Sequence, residues 1–319
     1  MSEAPSVGIV VVNYNSAAFI GEFIDSIARV DYPNASVVVV DSASEDGSAD
    51  ELARRLPEAH VIRAGENLGT AGGNNAGARY CLERGFDYAL FLNNDTTHEP
   101  DFLRALVEAA DGRTIAVPRI LYAQDHRLIS THAGGFDWTL GRFHDTYHGR
   151  PDGPATRTRR ELQTASFCCA LVPTRAFAEL EPLDERFFMY YEETDFLRRA
   201  LERGYRLLYV PEAVVYHRES ASSGGGWSTP FKLYYATRNR PYLVRKHARS
   251  AFHFAWFTVY FWATRIPHLI RYVVLRDWPM LRAMTLGVLH YYRGRMGRTL
   301  EVGDFSGGRA DARELQSAP

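Results

Sequence analysis

The chain has 319 residues, 46% hydrophobic and 24% charged, enough for one large buried core with an appendage, and this balance excludes a disordered or fibrous protein. The formal net charge of -1 hides an uneven distribution: residues 241–298 carry ten basic residues against a single acid, Asp277, a net of +9, and the rest of the chain carries -10. Those basic residues alternate with bulky apolar ones instead of forming a polar stripe, which points away from nucleic acid and toward some other anionic surface.

Cys81, Cys168 and Cys169 are too few and too irregularly spaced for a disulfide framework or a zinc site, so a reducing compartment is expected. Met1 leads almost directly into an apolar strand, with no basic start and no small-residue cleavage motif, which predicts a cytoplasmic protein.

In chain order, strand candidates at Val7 to Val12, Val37 to Val40, His60 to Arg63, Tyr88 to Leu92 and Thr114 to Val117, most of them β-branched, alternate with helical stretches. This is the pattern of a parallel sheet covered by helices on both faces, with right-handed crossovers. Ser48-Ala49-Asp50-Glu51 reads as a capping box that starts a helix. Residues 124–160 are rich in Gly, Arg, His and Pro and predict an irregular excursion, after which Ala165 to Val172 returns to the core as a strand. Ser220 to Gly226 is Ser and Gly apart from Ala221, which predicts a mobile loop ahead of a helix starting near Ser228.

Ligands of open parallel sheets bind beyond the carboxyl ends of the strands. Four strand ends here are polar: Asn13-Tyr14-Asn15, Asp41 through Gly47, Asn67 through Asn75, and Asn93-Asn94-Asp95. An Asp at such a position can accept the imide N–H of a pyrimidine, and glycines let the backbone approach a ribose or diphosphate. Asn, Asp, Ser and Gly also dominate ordinary turns, so the weight lies in their coincidence on successive strands. Gly69 to Gly73 lacks the G-x-G-x-x-G spacing and follows the third strand, against NAD or FAD binding.

Taken together with Phe91 through Asp95 and the later Phe187-Phe188-Met189-Tyr190-Tyr191-Glu192-Glu193-Thr194-Asp195, these segments resemble the family 2 glycosyltransferases over roughly residues 7 to 240. The resemblance implies an α/β GT-A fold, Rossmann-like with a mostly parallel sheet, a nucleotide-sugar donor, inversion at the anomeric carbon, and Mg2+ or Mn2+. It places Asp41 at the nucleobase, Asn13, Asn67 and Gly73 around the nucleotide, and Asp95 on the metal. Asn93 and Asn94 complete that donor-binding turn, where the family usually has Asp-x-Asp. One carboxylate is therefore an amide, which still suits magnesium, an ion that often takes one or two protein carboxylates plus substrate phosphates. His217 falls where relatives place a further metal ligand, although a single His after an apolar strand also occurs as a structural residue.

Displacement with inversion needs a base on the face opposite the leaving group, and Glu192, Glu193 and Asp195 offer three carboxylates. The family's Glu-Asp-x-Asp pattern maps its base onto Glu193, with Asp195 as its companion, and crowding of the acids is expected to raise at least one pKa. The alternative is a solvated helix start with Asp195 paired to Arg198 or Arg199. Arg238 and Asn239 either assist the leaving diphosphate from a helix over the site or simply pack. Phe167-Cys168-Cys169 replaces a small residue near the expected acceptor pocket. The Asn-Asn-Asp and Tyr-Tyr-Glu-Glu variants most resemble rhamnosyltransferases of cell-surface polysaccharide assembly, which suggests dTDP-rhamnose or a UDP-sugar as donor and a saccharide or lipid-linked saccharide as acceptor. A nucleotidyltransferase and a catalytically inert sugar-nucleotide-binding subunit remain as alternatives.

The reading thus divides the chain into a catalytic domain at 1–240, a basic aromatic helical region at 241–298 and a tail at 299–319. Ser250 to Thr264 has no charged residue and seven aromatic rings, too short an apolar run to span a bilayer before Arg265 and Pro267 interrupt it. Aromatics interleaved with Arg265, Arg271, Arg276 and Arg282 fit helices lying peripherally on an anionic membrane surface, with a packed helical pair as the alternative.

Overall fold

The computed structural model describes residues 4–130, 133–144, 146–218 and 229–305. The Ser- and Gly-rich stretch at 220–226 and most of the expected tail lie outside the described residues. Two units make up the chain. The first comprises the residues up to Phe136, Phe143–Phe188 and Glu192–Ser222, and the second takes Asp137–Arg142, Met189–Tyr191 and the C-terminal helices.

The first unit is built on β1 (Val7–Asn13), α1 (Ile20–Ile27), β2 (Ala35–Asp41), α2 (Ser48–Arg55), β3 (His60–Arg63), α3 (Gly69–Glu83) and β4 (Tyr88–Leu92). There follow β5 (Thr96–His98), α4 (Phe102–Ala109), β6 (Thr114–Tyr122), a short ribbon of β7 (Gly135–Asp137) and β8 (Arg142–His144), β9 (Arg160–Glu161), β10 (Cys169–Pro173), α5 (Arg175–Glu179), α6 (Glu192–Glu202) and β11 (Arg206–His217). The main sheet runs β3-β2-β1-β4-β10-β6-β11-β5, with β9 paired to β11. Strands β3, β2, β1 and β4 are parallel, β10 is antiparallel to β4 and β6, and β5 is antiparallel to β11. The return strand predicted near Val172 therefore inserts in reverse, and the sheet is mixed, not uniformly parallel.

Alternation along β1 explains both faces. Val7, Ile9 and Val11 join Phe23 of α1 and Phe102 and Leu106 of α4 on one side, while Val10 joins Ala78 of α3 and Phe196 and Leu197 of α6 on the other. Each such side chain contributes about 1.5–3 kcal/mol by leaving water. On the second side α3 presses against β1, because its contact residues are glycines. A Cβ at Gly77 would lie 2.2 Å from Val10 Cγ1, and one at Gly73 2.7 Å from Val12 Cγ1.

The second unit holds α7 (Pro230–His247), α8 (Ala251–Val274) and α9 (Trp278–Tyr292). Its boundary precedes the expected one at 240 because α7 packs with α9, where Gly287 brings the two backbones together against Tyr234 and Thr237. Pro267 does not interrupt α8, which runs through it to Val274. A small core of Val244, Phe257 and Phe261 joins the helices. The outer face of α8 exposes Phe252, Trp256, Val259, Ile266, Ile270 and Val273, spaced by three and four residues apart from one gap at the exposed Ala263. Among the described residues no helix is long and apolar enough to cross a membrane.

Candidate active site

The polar strand ends meet around Asn13. Its side chain is fully buried, and its Nδ2 donates to Asp41 Oδ1 at 2.9 Å and to Ser44 Oγ and Ser48 Oγ at 3.0 Å each. Its Oδ1 accepts from Ser16 Oγ and, at 3.0 Å, from Asn94 Nδ2. One amide thus ties together the carboxyl ends of β1, β2 and β4. Asp41, facing Asn13 across the ladder, also accepts from the Ser44 N–H at 3.3 Å.

Ser48 is drawn into this cluster, which is why the expected capping box does not form. The residue preceding α2 is Gly47, and Asp46 Oδ1 accepts from both the N–H and the hydroxyl of Ser48 while Oδ2 accepts from Ala17 N. Burial opposes the Asp46 anion, but these donors outweigh it and hold its carboxyl below the usual range. In the sequence, Ser44 and Asp46 carried no role beyond their place in one strand-end turn, and Ser48 read as the start of a capping box.

After β4, Asn93 is exposed, Asn94 faces Asn13, and Asp95 is 8% exposed. Asp95 Oδ1 lies 3.3 Å from His217 Nε2 at the end of β11 and has no hydrogen-bond partner among the described residues. Antiparallel pairing of β5 with β11 creates this proximity, since His217 stands opposite Thr96. His217 Nδ1 is 3.3 Å from the buried Ser130 hydroxyl, which fixes the ring from behind. Burial opposes a protonated His217, but the Cys168 thiol and the Asp95 carboxylate outweigh it and raise its pKa well above the ordinary histidine value. No sequence signal marked Ser130.

Asn67 and Gly73 serve α3. Asn67 Oδ1 accepts from Gly69 N at 3.0 Å at the start of the helix, and helix-on-strand packing accounts for Gly73. The same end of α3 meets the acidic turn. Ala71 N donates to Phe188 O at 3.2 Å, and the Thr70 hydroxyl contacts Phe188 O and Glu192 Oε1. Glu192 is 6% exposed, and burial, partly offset by its hydrogen bonds, raises its pKa. The cause is therefore desolvation, not the like-charge crowding expected. Phe188, Tyr190 and Tyr191 all have positive φ, a rare state for bulky side chains, in the turn that delivers Glu193 at half-burial in the first turn of α6.

Two expected site residues are placed elsewhere. Asp195 is fully buried, and its Oδ2 accepts from Arg199 Nε at 3.0 Å, with Arg199 Nη2 at 2.9 Å. Arg199 also donates to the Pro182 carbonyl, so the Asp195–Arg199 pair anchors α6 in the core. Arg238 is likewise fully buried. Its Nη1 donates to Gly297 O and Thr299 Oγ1, its guanidinium lies over the Tyr235 ring at 4.7 Å, and its Nε bonds Asn239 Oδ1. Asn239 in turn donates to the carbonyls of Met189 and Tyr190. Both residues therefore brace the second unit, Asn239 at Met189 and Tyr190 and Arg238 at Gly297 and Thr299. Phe167 stacks on Phe91 in the core and Cys169 is fully buried, so this segment packs the interior instead of lining an acceptor pocket.

A Rossmann-like sheet whose strand ends carry a polar hub, an Asp–His pair and an acidic helix start defines a GT-A glycosyltransferase. The model of the family described as "Glycosyl transferase family 2" matches residues 8–180, more than half of the chain, and the chain belongs to that family. It is 27% identical over 239 residues to N-acetylglucosaminyl-diphospho-decaprenol L-rhamnosyltransferase of Mycobacterium tuberculosis, covering 68% of this chain and 77% of that protein. It is 23% identical over 227 residues to the dTDP-rhamnosyl transferase RfbF of Shigella flexneri, covering 69% and 74%. Among solved structures, the mannosyltransferase PcManGT of Pyrobaculum calidifontis, in complex with GDP-Man and Mn2+, superimposes with a TM-score of 0.55 at 16% identity over 92% of this chain and 89% of that one. TarS 1-349 of S. aureus in complex with UDP-GlcNAc gives 0.53 at 17% identity over 91% and 88%. The protein is thus an enzyme of glycosyl transfer, and neither the nucleotidyltransferase nor the inert-subunit alternative is retained.

Proposed function

We propose that the protein transfers a deoxyhexose, rhamnose in the first instance, from a nucleoside diphosphate to a hydroxyl of a lipid-linked saccharide, with inversion, at an anionic membrane surface. The observation that carries the reading is the Asp95–His217 pair beside the Asn13 hub, at the strand ends where a nucleotide sugar binds. The rhamnosyltransferase relatives support the choice of sugar and acceptor.

A hard oxygen and an imidazole nitrogen, one with an unsatisfied oxygen, suit a divalent cation, and their 3.3 Å separation is close to the roughly 3 Å between neighbouring ligands of Mg2+ or Mn2+. Among the described residues no cluster of three or more His, Cys, Asp or Glu could hold a metal, so the remaining ligands would come from donor phosphates and water. When bound, the ion neutralises the charge of the departing diphosphate. Asp41 offers its carboxylate to the nucleobase, while Asn13, Asn67 and Gly73 shape the nucleotide pocket and the exposed Asn93 faces the donor.

Glu193 takes the proton from the acceptor hydroxyl as that oxygen attacks the anomeric carbon, and the sugar–phosphate bond breaks with its electron pair leaving on the nucleoside diphosphate. Glu192, buried and bound to Thr70, positions the turn. The exposed apolar face of α8 lies among Arg271, Arg276 and Arg282 with no acid in the helix, which favours anionic lipid over a second copy bearing the same cations. On this reading the protein works at the cytoplasmic face of a membrane.

The test supplies dTDP-rhamnose and a panel of UDP-sugars with a prenyl-diphosphate-linked N-acetylglucosamine acceptor, with and without EDTA. Metal-dependent rhamnosyl product of inverted configuration is expected. Product with retained configuration, or from no donor in the panel, would defeat the reading.

A further inference from the structure

The second unit contains two arginines with buried Nε–H groups that the reaction above does not use. Arg240 on α7 is 8% exposed, its Nη2 donates to Leu140 O at 2.7 Å, and its guanidinium lies 5.7 Å from the ring centres of Phe257 and Tyr260. Arg265 on α8, half-buried, lies over Phe261 at 5.4 Å. The Nε–H of each is buried with no hydrogen-bond partner among the described residues.

The groups acting on Arg265 are Arg240 and the phenols of Tyr191, Tyr272 and Tyr260, with no carboxylate among them. Burial, and then the neighbouring Arg240 cation, lower its pKa. Arginine stays charged regardless, so two cations lie against Phe257 and Phe261, rings whose centres are 5.8 Å apart, with no counterion among the described residues. Such an arrangement is costly in isolation and becomes favourable when an anion enters, because Coulomb attraction is strong where water is excluded. Arg265 was expected among the lipid-facing cations. Its withdrawal beside Arg240 gives it a different task.

We propose that Arg240 and Arg265 form a binding site for a phosphate or diphosphate group. Guanidinium forks match the oxygens of such a group in bidentate fashion, and tyrosine hydroxyls can donate to the oxygens left over. Two sources carry this chemistry: the diphosphate that joins an acceptor saccharide to its lipid, an assignment that rests on the acceptor reading above, and a free nucleoside diphosphate.

Inorganic pyrophosphate titrated calorimetrically into the whole protein, with EDTA present to silence any metal-held donor site, tests the proposal. The parent should bind one equivalent, Arg265→Gln at least tenfold more weakly, Arg265→Lys in between, and the exposed-site control Arg203→Gln like the parent. Without ligand, Arg265→Met should melt at a higher temperature, since it removes an uncompensated buried cation, and it should lose the rise that pyrophosphate gives the parent. Equal binding by the parent and Arg265→Gln, or none by the parent, overturns the site. Competition by a short-chain prenyl diphosphate sugar but not by UDP or dTDP assigns the acceptor as the source. The reverse assigns the free nucleotide, in which case the acceptor reading fails and the anion site stands.

Discussion

Asp95 Oδ1 stands 3.3 Å from His217 Nε2 and has no hydrogen-bond partner among the described residues. Replacing Asp95 by Asn keeps the shape and removes the charge. In the presence of a nucleoside diphosphate, Asp95→Asn and His217→Ala should each weaken Mn2+ binding by roughly 10–100-fold, and Ser130→Ala, acting through the ring, by less. Manganese resonance titrations read this without any turnover, and unchanged affinity in the first two variants rejects the pair as ligands.

Glu193→Gln should lower transfer by about 10²–10⁴-fold while leaving donor affinity nearly unchanged, since an amide cannot take the acceptor proton. Asp195→Asn separates the two acids. It breaks the buried pair with Arg199 and should cost about 3–5 kcal/mol of stability, seen in denaturant melts, with a smaller effect on turnover per folded molecule. Full activity in Glu193→Gln would return the role of base to Glu192.

Loss of the Asn13 amide strands several buried partners at once. Asn13→Ala is expected to destabilise the protein by about 1–3 kcal/mol and to weaken nucleotide binding as well, because Asp41 and Asn94 lose their common anchor. Chemical denaturation and nucleotide titration of the variant would expose the idea as wrong if only one of the two changed.

Stability should fall in mild acid. His98 is 6% exposed, and burial lowers its pKa from 6.5 to about 4, with the Glu99 carbonyl opposing. The unfolded chain takes up a proton below pH 6.5 that the folded chain refuses until about pH 4, so stability is full above 6.5 and is lost as the pH falls toward 4. The loss is on the order of 3 kcal/mol. Unfolding free energies measured across this range should slope for the parent and be flatter for His98→Phe.

Arg271→Gln, Arg276→Gln and Arg282→Gln together should reduce binding to phosphatidylglycerol vesicles, by on the order of 1 kcal/mol for each residue near lipid, and should make it less sensitive to salt. Trp256→Ser, on the exposed face of α8, should weaken binding to neutral and anionic vesicles alike. A parent that cosediments with neither vesicle argues for a protein partner on that face.

Much of the architecture was legible because β1 and β2 are β-branched runs ending in Asn13 and Asp41 and β4 is a short apolar run followed by Asn93, and local pattern carries that information. Antiparallel insertion of β10 was not, since a buried strand reads the same in either direction. The glycosyltransferase motifs pointed to Asp95, His217 and Glu193, which lie at the strand ends and the helix start. They gave no sign that Arg238 and Asp195 are buried, each with a partner inside the fold. Ser130 and the Arg240–Arg265 pair were invisible because their neighbours are assembled only by the fold.

The packing of α3 on β1 also bears on the order of folding. Gly69, Gly72, Gly73 and Gly77 make α3 a poor helix on its own, since each costs roughly 0.8–1 kcal/mol relative to Ala. The helix therefore depends on a sheet already present to receive it, and it should be unformed in the folding transition state. Ala78→Gly, on the buried side of α3, should speed unfolding and leave the refolding rate almost unaltered. Because Asn67, Thr70 and Ala71 organise the donor edge from the start of this helix, the enzyme would acquire its nucleotide pocket after its core.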